Sequence, residues 1–105
     1  MGGRFHARVL ELPGAGFMVT LVDEEVLGVK VYDESSGIVI DVRRDFYEGV
    51  VVGEEEALKL LEEAETLILV GPRIVRLAIE RGYVNPDSVL RVKGVEYVQV
   101  FKIAY

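Results

Sequence analysis

Apolar and polar residues alternate along the first part of the chain. In residues 4–12 the odd positions are mostly apolar and the even positions mostly polar, which is the pattern of a half-buried strand. The apolar run at 17–22 follows the loop "PGAG". The two stretches predict a β-hairpin.

The next residues predict a short helical turn and a second hairpin. Asp23 is of a residue type that caps helices, and Gly28 is of the type that ends them. The runs 29–32 and 37–42 flank the polar turn "DESSG", which favours a hairpin. The segment "RRDFYEG", residues 43–49, is predicted to be a loop.

Helical spacing appears in the second half of the chain. Apolar residues recur three or four positions apart in 54–65 after three glutamates, which predicts a helix with acidic residues at its positive end. The apolar run 66–70 then reads as a strand covered on both faces. Pro72 suits the first position of a helix over 72–81.

Two further strands are predicted near the end of the sequence, at 89–92 and 95–104 around the turn "KG". The second is apolar on both faces in its middle, which indicates a place inside the sheet. The order of elements predicts a single α+β domain over residues 1–105. Its sheet is mixed or mostly antiparallel, with two main helices and two N-terminal hairpins.

Composition narrows the classes of function. The chain has no cysteine and one histidine, His6, so we expect no disulfide, no metal and no cofactor. No apolar run approaches the roughly 20 residues that cross a membrane. The first residues lack the apolar stretch of a secretion signal, so a cytoplasmic location is expected. Single asparagine and glutamine residues favour a thermophilic source.

The net charge of −6 conceals an uneven distribution. Residues 1–70 carry 15 acidic and 6 basic side chains, whereas residues 71–105 carry 3 acidic and 6 basic ones. Clustered cations are what RNA phosphates require, and Tyr83 and Tyr97 are of a type that stacks on unpaired bases. The predicted RNA-contacting set is Gly71, Arg73, Arg76, Arg81, Arg91, Lys93 and Lys102.

The turn from Gly71 to Arg73 has two interpretations. A helix that begins directly after a strand offers free amides to an anion, and Arg73 would add a bidentate partner. The alternative is a plain packing corner, followed by a solvated helix in which Arg76 pairs with Glu80. The glycine spacing of a nucleotide-binding loop is missing.

The acidic residues also have two interpretations. They form a metal or acid–base cluster if they converge in space, but a capped turn and solvated charges explain them more simply. His6 shares a strand side with Arg4 and Arg8, so an exposed polar residue is expected. Because no serine lies in a nucleophile-elbow context, an enzyme is the minority interpretation. The residues concerned are Asp23, Glu24, Glu25, Asp41 and Asp45.

Several motifs resemble an uncharacterised archaeal family, the domain of unknown function 424. They are "VDEEVLG", "FYEG", "EEEALKLLEEA", "LVG", "AIERGYV" and "GVEYVQV", which together cover about residues 17–101. The resemblance implies a small single-domain protein with a loose association with RNA or translation. The family pattern has asparagine where this chain has Ile68, and Pro-His where it has Glu96 and Tyr97. An imidazole mechanism shared with relatives is therefore not expected here.

Three hypotheses follow from the sequence. The first is an RNA-binding module, associated with translation or the ribosome, that contacts phosphates through residues 71–102. The second is a protein-interaction or homodimeric module whose acidic part meets a basic partner such as a ribosomal protein. The third is a small-ligand or enzymatic site near Gly71.

Overall fold

The computed structural model describes residues 3–102. The strands within this range are β1 (Phe5–Leu12), β2 (Gly16–Asp23), β3 (Lys30–Tyr32), β4 (Val39–Asp41), β5 (Val50–Val52), β6 (Thr66–Val70), β7 (Leu90–Val92) and β8 (Val95–Phe101). The helices are α1 (Arg44–Tyr47), α2 (Glu54–Glu63) and α3 (Pro72–Glu80), with 3-10 turns at Glu24–Val26 and Pro86–Ser88.

The main sheet has six strands in the order β5-β1-β2-β6-β8-β7. The central pair β2 and β6 is parallel, and the other neighbours in this sheet are antiparallel. Strands β3 and β4 form a separate two-stranded hairpin. The predicted α+β class, the mostly antiparallel sheet, both N-terminal hairpins and the interior position of β8 are confirmed.

Helices α2 and α3 cover one face of the main sheet. Their apolar residues at helical spacing pack on alternate residues of the strands beneath them. Leu61 of α2 and Ile74 of α3 are completely buried in this core, as are Leu21 and Leu69 of the central strands. The continuous apolar character of β6 is explained by this arrangement, because its other face is covered as well.

The β3–β4 hairpin covers one end of the opposite face. Ile40 and Val42 pack there against Val22 and Val70 of the central strands. At the other end of the same face Phe101 is 66% exposed. The molecule therefore has three layers at one end and two at the other.

Two segments differ in type from the sequence-based expectations. The segment 43–49 is not all loop, because Arg44–Tyr47 forms one helical turn and the amide of Glu48 donates to the carbonyl of Arg44. Strand β5 is not indicated by the sequence, since three valines are too short to show periodicity and acquire their conformation by pairing with β1.

The ends of the predicted elements also shift. The two main helices end at 63 and 80 rather than at 65 and 81. Strand β8 ends at 101, and the rest of its predicted range to 104 extends beyond the described residues.

Candidate functional site: the Gly71 corner and the hairpin cleft

The chain turns sharply from β6 into α3 at Gly71. Its backbone has φ 117° and ψ 147°, a conformation that residues with a side chain rarely adopt. Its amide donates to the carbonyl of Glu96 at 2.7 Å. A Cβ atom at this position would lie 2.3 Å from Cγ of Asp23, so only glycine leaves room for that carboxylate.

Asp23 closes the start of α3. Its side chain is fully buried, and its two carboxylate oxygens accept hydrogen bonds from the amides of Arg73, at 2.8 Å, and Ile74, at 2.9 Å. The prediction that Asp23 caps its own turn is wrong, because the 3-10 turn at Glu24–Val26 has no side-chain cap. Asp23 caps a helix 50 residues away in sequence.

Burial raises the pKa of the Asp23 carboxyl, while the two donated amides and the charge of Arg73 act in the opposite direction. Desolvation is the larger effect because the group has no contact with water. The carboxylate therefore depends on its two amide donors and on Arg73 for its charge.

Arg73 is bound by groups of the same chain. Its Nε donates to Oε2 of Glu25 at 2.7 Å, and a second guanidinium nitrogen donates to Oε1 at 2.5 Å. The guanidinium also contacts the carbonyl of Arg4 at 3.1 Å and lies 4.9 Å from the centre of the Phe5 ring. The pKa of Glu25 is lowered by its hydrogen bonds with Arg73.

We define the Gly71 corner as Gly71, Pro72 and Arg73 with Asp23 and Glu25. Its two carboxylates therefore already supply it with negative charge. The free amides expected for an external anion are occupied by Asp23, and the expected bidentate partner is occupied by Glu25. The geometry corresponds to an internally capped helix.

Two more residues of the predicted RNA-contacting set are engaged within the chain. Arg91 pairs with Glu96 at 3.5 Å across neighbouring strands. The ammonium of Lys102 donates to the last carbonyls of α2, those of Leu61 and Glu62, and lies 4.6 Å from the centre of the Tyr83 ring. Burial lowers the pKa of Lys102.

The remaining cations of the set are exposed. Arg76, Arg81 and Lys93 lie at the surface and form no ion pair with another residue of the range 3–102. The expected Arg76–Glu80 pair is not among the ion pairs of the described chain.

The structure also divides the predicted set between two ends of β6. The Gly71–Glu96 bond holds the β7–β8 turn, and with it Lys93, beside the start of α3. A bond between the amide of Lys102 and the carbonyl of Glu65 places Lys102 at the start of β6. Arg81 lines a depression with Tyr83, on the same side as Lys102. The cations do not form a single stripe.

The acidic residues do not gather at one place. Asp23 and Glu25 lie around Arg73, whereas Asp41 and Asp45 lie beside Arg43. Glu24 pairs with Arg4 at 3.4 Å, and Asp45 pairs with Arg43 at 2.6 Å. Within residues 3–102, no group of three histidine or acidic side chains is placed to hold a metal ion. The solvated-charge interpretation therefore holds for these pairs, while Asp23 is a buried exception.

His6 is not the exposed residue that the sequence predicted, because only 8% of its surface is accessible. The segment at Gly49 lies against it, with the Gly49 amide and carbonyl each 3.4 Å from Nδ1. The packing of β5 beside β1 brings this segment over the ring. This burial depends on β5, which the sequence did not reveal.

The outer face of α2 carries an excess of negative charge. Four glutamates of this helix are exposed beside one exposed lysine, and none of the four pairs with a cation among the ion pairs of the described residues. They are Glu55, Glu56, Glu62 and Glu63, beside Lys59.

A cleft lies between the β3–β4 hairpin and the main sheet. Its volume is about 350 Å³. Its walls are mostly aliphatic and come from both layers: Val39, Ile40, Val42, Val70 and Leu90. We call this cavity the hairpin cleft.

Three polar residues line the hairpin cleft: Asp41, Tyr47 and Tyr97. Burial raises the pKa of both tyrosines, and the neighbouring Tyr97 and Asp41 add to the effect on Tyr47. The Tyr47 ring is held edge-on against Phe46, with ring centres 4.7 Å apart. The nearby cation Arg43 is bound in a bidentate manner by Asp45, at 3.1 and 2.6 Å.

Sequence reasoning does not reveal the hairpin cleft. It groups Asp41 with the solvated charges and assigns Tyr97 to stacking on bases. The three polar residues lie on β4, α1 and β8, so no spacing along the chain connects them. A signal is present only in the motif "FYEG", whose aromatic pair packs beside the cleft.

The fold and the cleft define a small α+β protein with helices on one face of its sheet and a hairpin on the other. The chain belongs to the family of proteins of unknown function DUF424, whose model matches residues 11–103. This confirms the family resemblance found in the sequence.

A solved structure shares the fold: the crystal structure of an uncharacterized conserved protein from Methanopyrus kandleri is similar over 97% of this chain and 96% of that one, with 21% identity and a TM-score of 0.69. No curated protein matches the sequence. No helix in the described range is long and apolar enough to cross a membrane.

The three positions expected from the sequence to differ from the family pattern have different surroundings. Ile68 is buried beneath the hairpin, Glu96 pairs with Arg91, and Tyr97 lines the hairpin cleft. An apolar residue at 68 and a tyrosine at 97 are therefore accommodated by packing on the hairpin side of the sheet.

Proposed function

We propose that this protein is a non-enzymatic interaction module that binds a basic protein partner through the outer face of α2. The supporting observation is the partition of charge. Glu55, Glu56, Glu62 and Glu63 are exposed on one helix with Lys59 as the only cation among its exposed residues. Arg81 and Lys59 line a depression with Glu55 and Glu62. The four glutamates still outnumber these two cations, and an excess of this kind attracts a partner of opposite charge.

The ion pairs formed by the arginines also support the proposal. Arg4, Arg43, Arg44, Arg73 and Arg91 are each paired with a carboxylate of the same chain. Each pair joins one cation to one carboxylate, so the net charge of −6 comes from carboxylates outside these pairs. The surface is therefore better suited to a polycation than to a polyanion.

The experiment compares two fourfold variants with equal net charge. One replaces Glu55, Glu56, Glu62 and Glu63 with glutamine. The matched control neutralises exposed carboxylates elsewhere, with Glu11→Gln, Glu34→Gln, Glu80→Gln and Asp87→Asn. Each is titrated with a fluorescent lysine-rich peptide at low salt, and binding is followed by anisotropy.

We expect the α2 variant to lose roughly tenfold in affinity and the control to lose clearly less, because local potential decides the encounter. Equal losses in both variants would mean that total charge alone is responsible, and would overturn the proposal. Thermal unfolding of both variants verifies that the fold is intact.

RNA binding through the last third of the chain is the second candidate. It is favoured by the exposed cations Arg76, Arg81 and Lys93, which have no ion pair within the described part of the chain. The appropriate test is Arg76→Glu with Lys93→Glu, since replacing Arg73 would also break the Glu25 pair. RNA contact predicts affinity for a structured RNA that falls steeply with salt and is lost in this variant. Peptide binding without RNA binding favours the first candidate.

A further inference from the structure

We propose that the hairpin cleft binds a small organic cation, an ammonium group carried on an apolar body. This site lies on the face of the sheet opposite α2 and does not depend on the proposed interaction with a basic protein. The argument rests on the size of the cleft, the character of its walls and the charge of its polar groups.

The size of the cleft indicates a small ligand. Its volume of about 350 Å³ is near the lower end of the range of ligand pockets, roughly 300–1,000 Å³. The cleft is a half-open depression between the hairpin and the sheet that is large enough for a small ligand.

The walls suit an apolar body. Val39, Val42, Val70 and Leu90 present aliphatic surface from the hairpin and from the sheet. An alkyl chain or methyl groups placed there would be removed from water, which is favourable in proportion to the area buried.

The polar groups select a positive charge. Asp41 is the only charged residue among those lining the cleft. Arg43 makes its hydrogen bonds with Asp45, which raise its pKa with a further contribution from Asp41. Lys30 stands opposite Asp41 in the hairpin. An anion would be repelled by Asp41. A cation gains its attraction, and tyrosine rings at the same site favour an ammonium or methylated ammonium group.

The hydroxyls of Tyr47 and Tyr97 supply further acceptors. Burial raises the pKa of both tyrosines, Tyr97 and Asp41 add to the effect on Tyr47 alone, and no hydrogen bond contributes to either shift. Both oxygens can therefore accept from the N–H groups of a primary ammonium. In the Gly71 corner, by contrast, the carboxylates are already occupied by donors of the same chain.

The test is a titration of the full chain, labelled with ¹⁵N, with n-butylammonium and with tetramethylammonium. Sodium chloride at equal ionic strength and the neutral alcohol n-butanol are the controls. We expect saturable amide shifts centred on Val39, Asp41, Leu90 and Tyr97 with at least one of the two cations, and clearly weaker effects with n-butanol.

Variants test whether the charge of Asp41 is responsible for the binding of the cation. Asp41→Asn keeps the shape of the side chain and should lower affinity roughly tenfold, as the loss of one charge-assisted contact implies. Tyr97→Phe should lower it by a smaller factor. Glu34→Gln, which removes an exposed charge from the same hairpin outside the cleft, should leave binding unchanged.

The outcomes separate this proposal from the proposed function. Absence of saturable shifts, equal binding of n-butanol, or unchanged affinity in Asp41→Asn would overturn the cleft site. Shifts produced only by a peptide carrying a lysine, and not by the free cations, would also overturn it, because the occupant would then be a protein. Neither result affects the lysine-rich peptide titration on α2, and loss of that binding leaves the cleft titration interpretable.

Discussion

The Gly71 corner and the hairpin cleft both contain polar side chains, but these side chains have different partners. In the corner, the carboxylates of Asp23 and Glu25 accept hydrogen bonds from α3 and from Arg73. In the cleft, Asp41 and two tyrosines border a cavity of about 350 Å³. The corner's polar groups therefore stabilise the fold, whereas no side-chain hydrogen bond or ion pair within residues 3–102 engages those of the cleft.

The difference teaches that a strand followed directly by a helix does not define an anion site. The amides at the start of a helix require an acceptor, and a buried aspartate from the neighbouring strand supplies one here. A ligand site is better indicated by polar groups that border a cavity and lack partners in their own chain.

The largest expected effect comes from Asp23→Ala. The change leaves two amides of α3 without their acceptor in a fully buried place, and we expect a loss of about 2–4 kcal/mol in the free energy of unfolding. Urea denaturation measures it. The matched control Asp41→Ala should change stability by less than about 0.5 kcal/mol, as exposed sites do. Equal losses at the two sites would remove the distinction between corner and cleft.

Gly71→Ala should have the next largest effect. The new methyl group would approach Cγ of Asp23 to 2.3 Å and the backbone would remain at φ 117°, which together cost about 1–3 kcal/mol. Gly37→Ala is a suitable reference, because Gly37 also has a positive φ of 76° but a methyl group there would have no neighbouring atom within 4 Å. A smaller loss at Gly71 than at Gly37 would contradict the close contact with Asp23.

Much of the fold could be predicted because it depends on local patterns. The helix over α2, the strand β6 and the turn into α3 each follow from periodicity, a continuous apolar run or a proline at the first helical position. Strand β5 could not be predicted in the same way. Three valines have no readable period, and their strand conformation depends on pairing with β1, about 45 residues away.

The candidate sites were less predictable for a related reason. The sequence drew attention to Gly71 and Arg73 but could not show that Asp23, 50 residues earlier, occupies their donors. The cleft depends on Asp41 and Tyr97 meeting across two layers. Such contacts are set by tertiary packing, and a single sequence carries no periodic signal for them.

The pH dependence of the free energy of unfolding tests the effect of burial on the Asp23 carboxyl of the corner. Burial raises the pKa of Asp23 above its usual value near 3.8, so the folded state holds the proton more tightly than the unfolded state. This contribution to stability is fully present below the usual value and is lost as the pH rises through the folded pKa. The variant Asp23→Asn lacks this pH-dependent contribution, because its side chain has no carboxyl group to titrate.

The measurement is the free energy of unfolding of the natural chain minus that of Asp23→Asn, followed from about pH 3 to about pH 7. This difference in the free energy of unfolding should fall as the pH rises. Glu25, whose pKa is lowered by Arg73, contributes the opposite trend but is present in both proteins. A difference that rises with pH would show that the two amides and Arg73 affect the pKa of Asp23 more strongly than burial does.

The smallest expected effect within the Gly71 corner is that of Glu25→Gln. Its bond to Arg73 is bidentate, but the Glu25 side chain is 56% exposed, so solvent screens the pair and the expected loss is about 0.2–1 kcal/mol. Glu24→Gln, at the looser 3.4 Å pair with Arg4, should cost less. Added salt should reduce the Glu25 effect further. A loss as large as that of Asp23→Ala would mean that Arg73, and not Asp23, organises the corner, because the two carboxylates share this arginine but only Asp23 accepts from the helix amides.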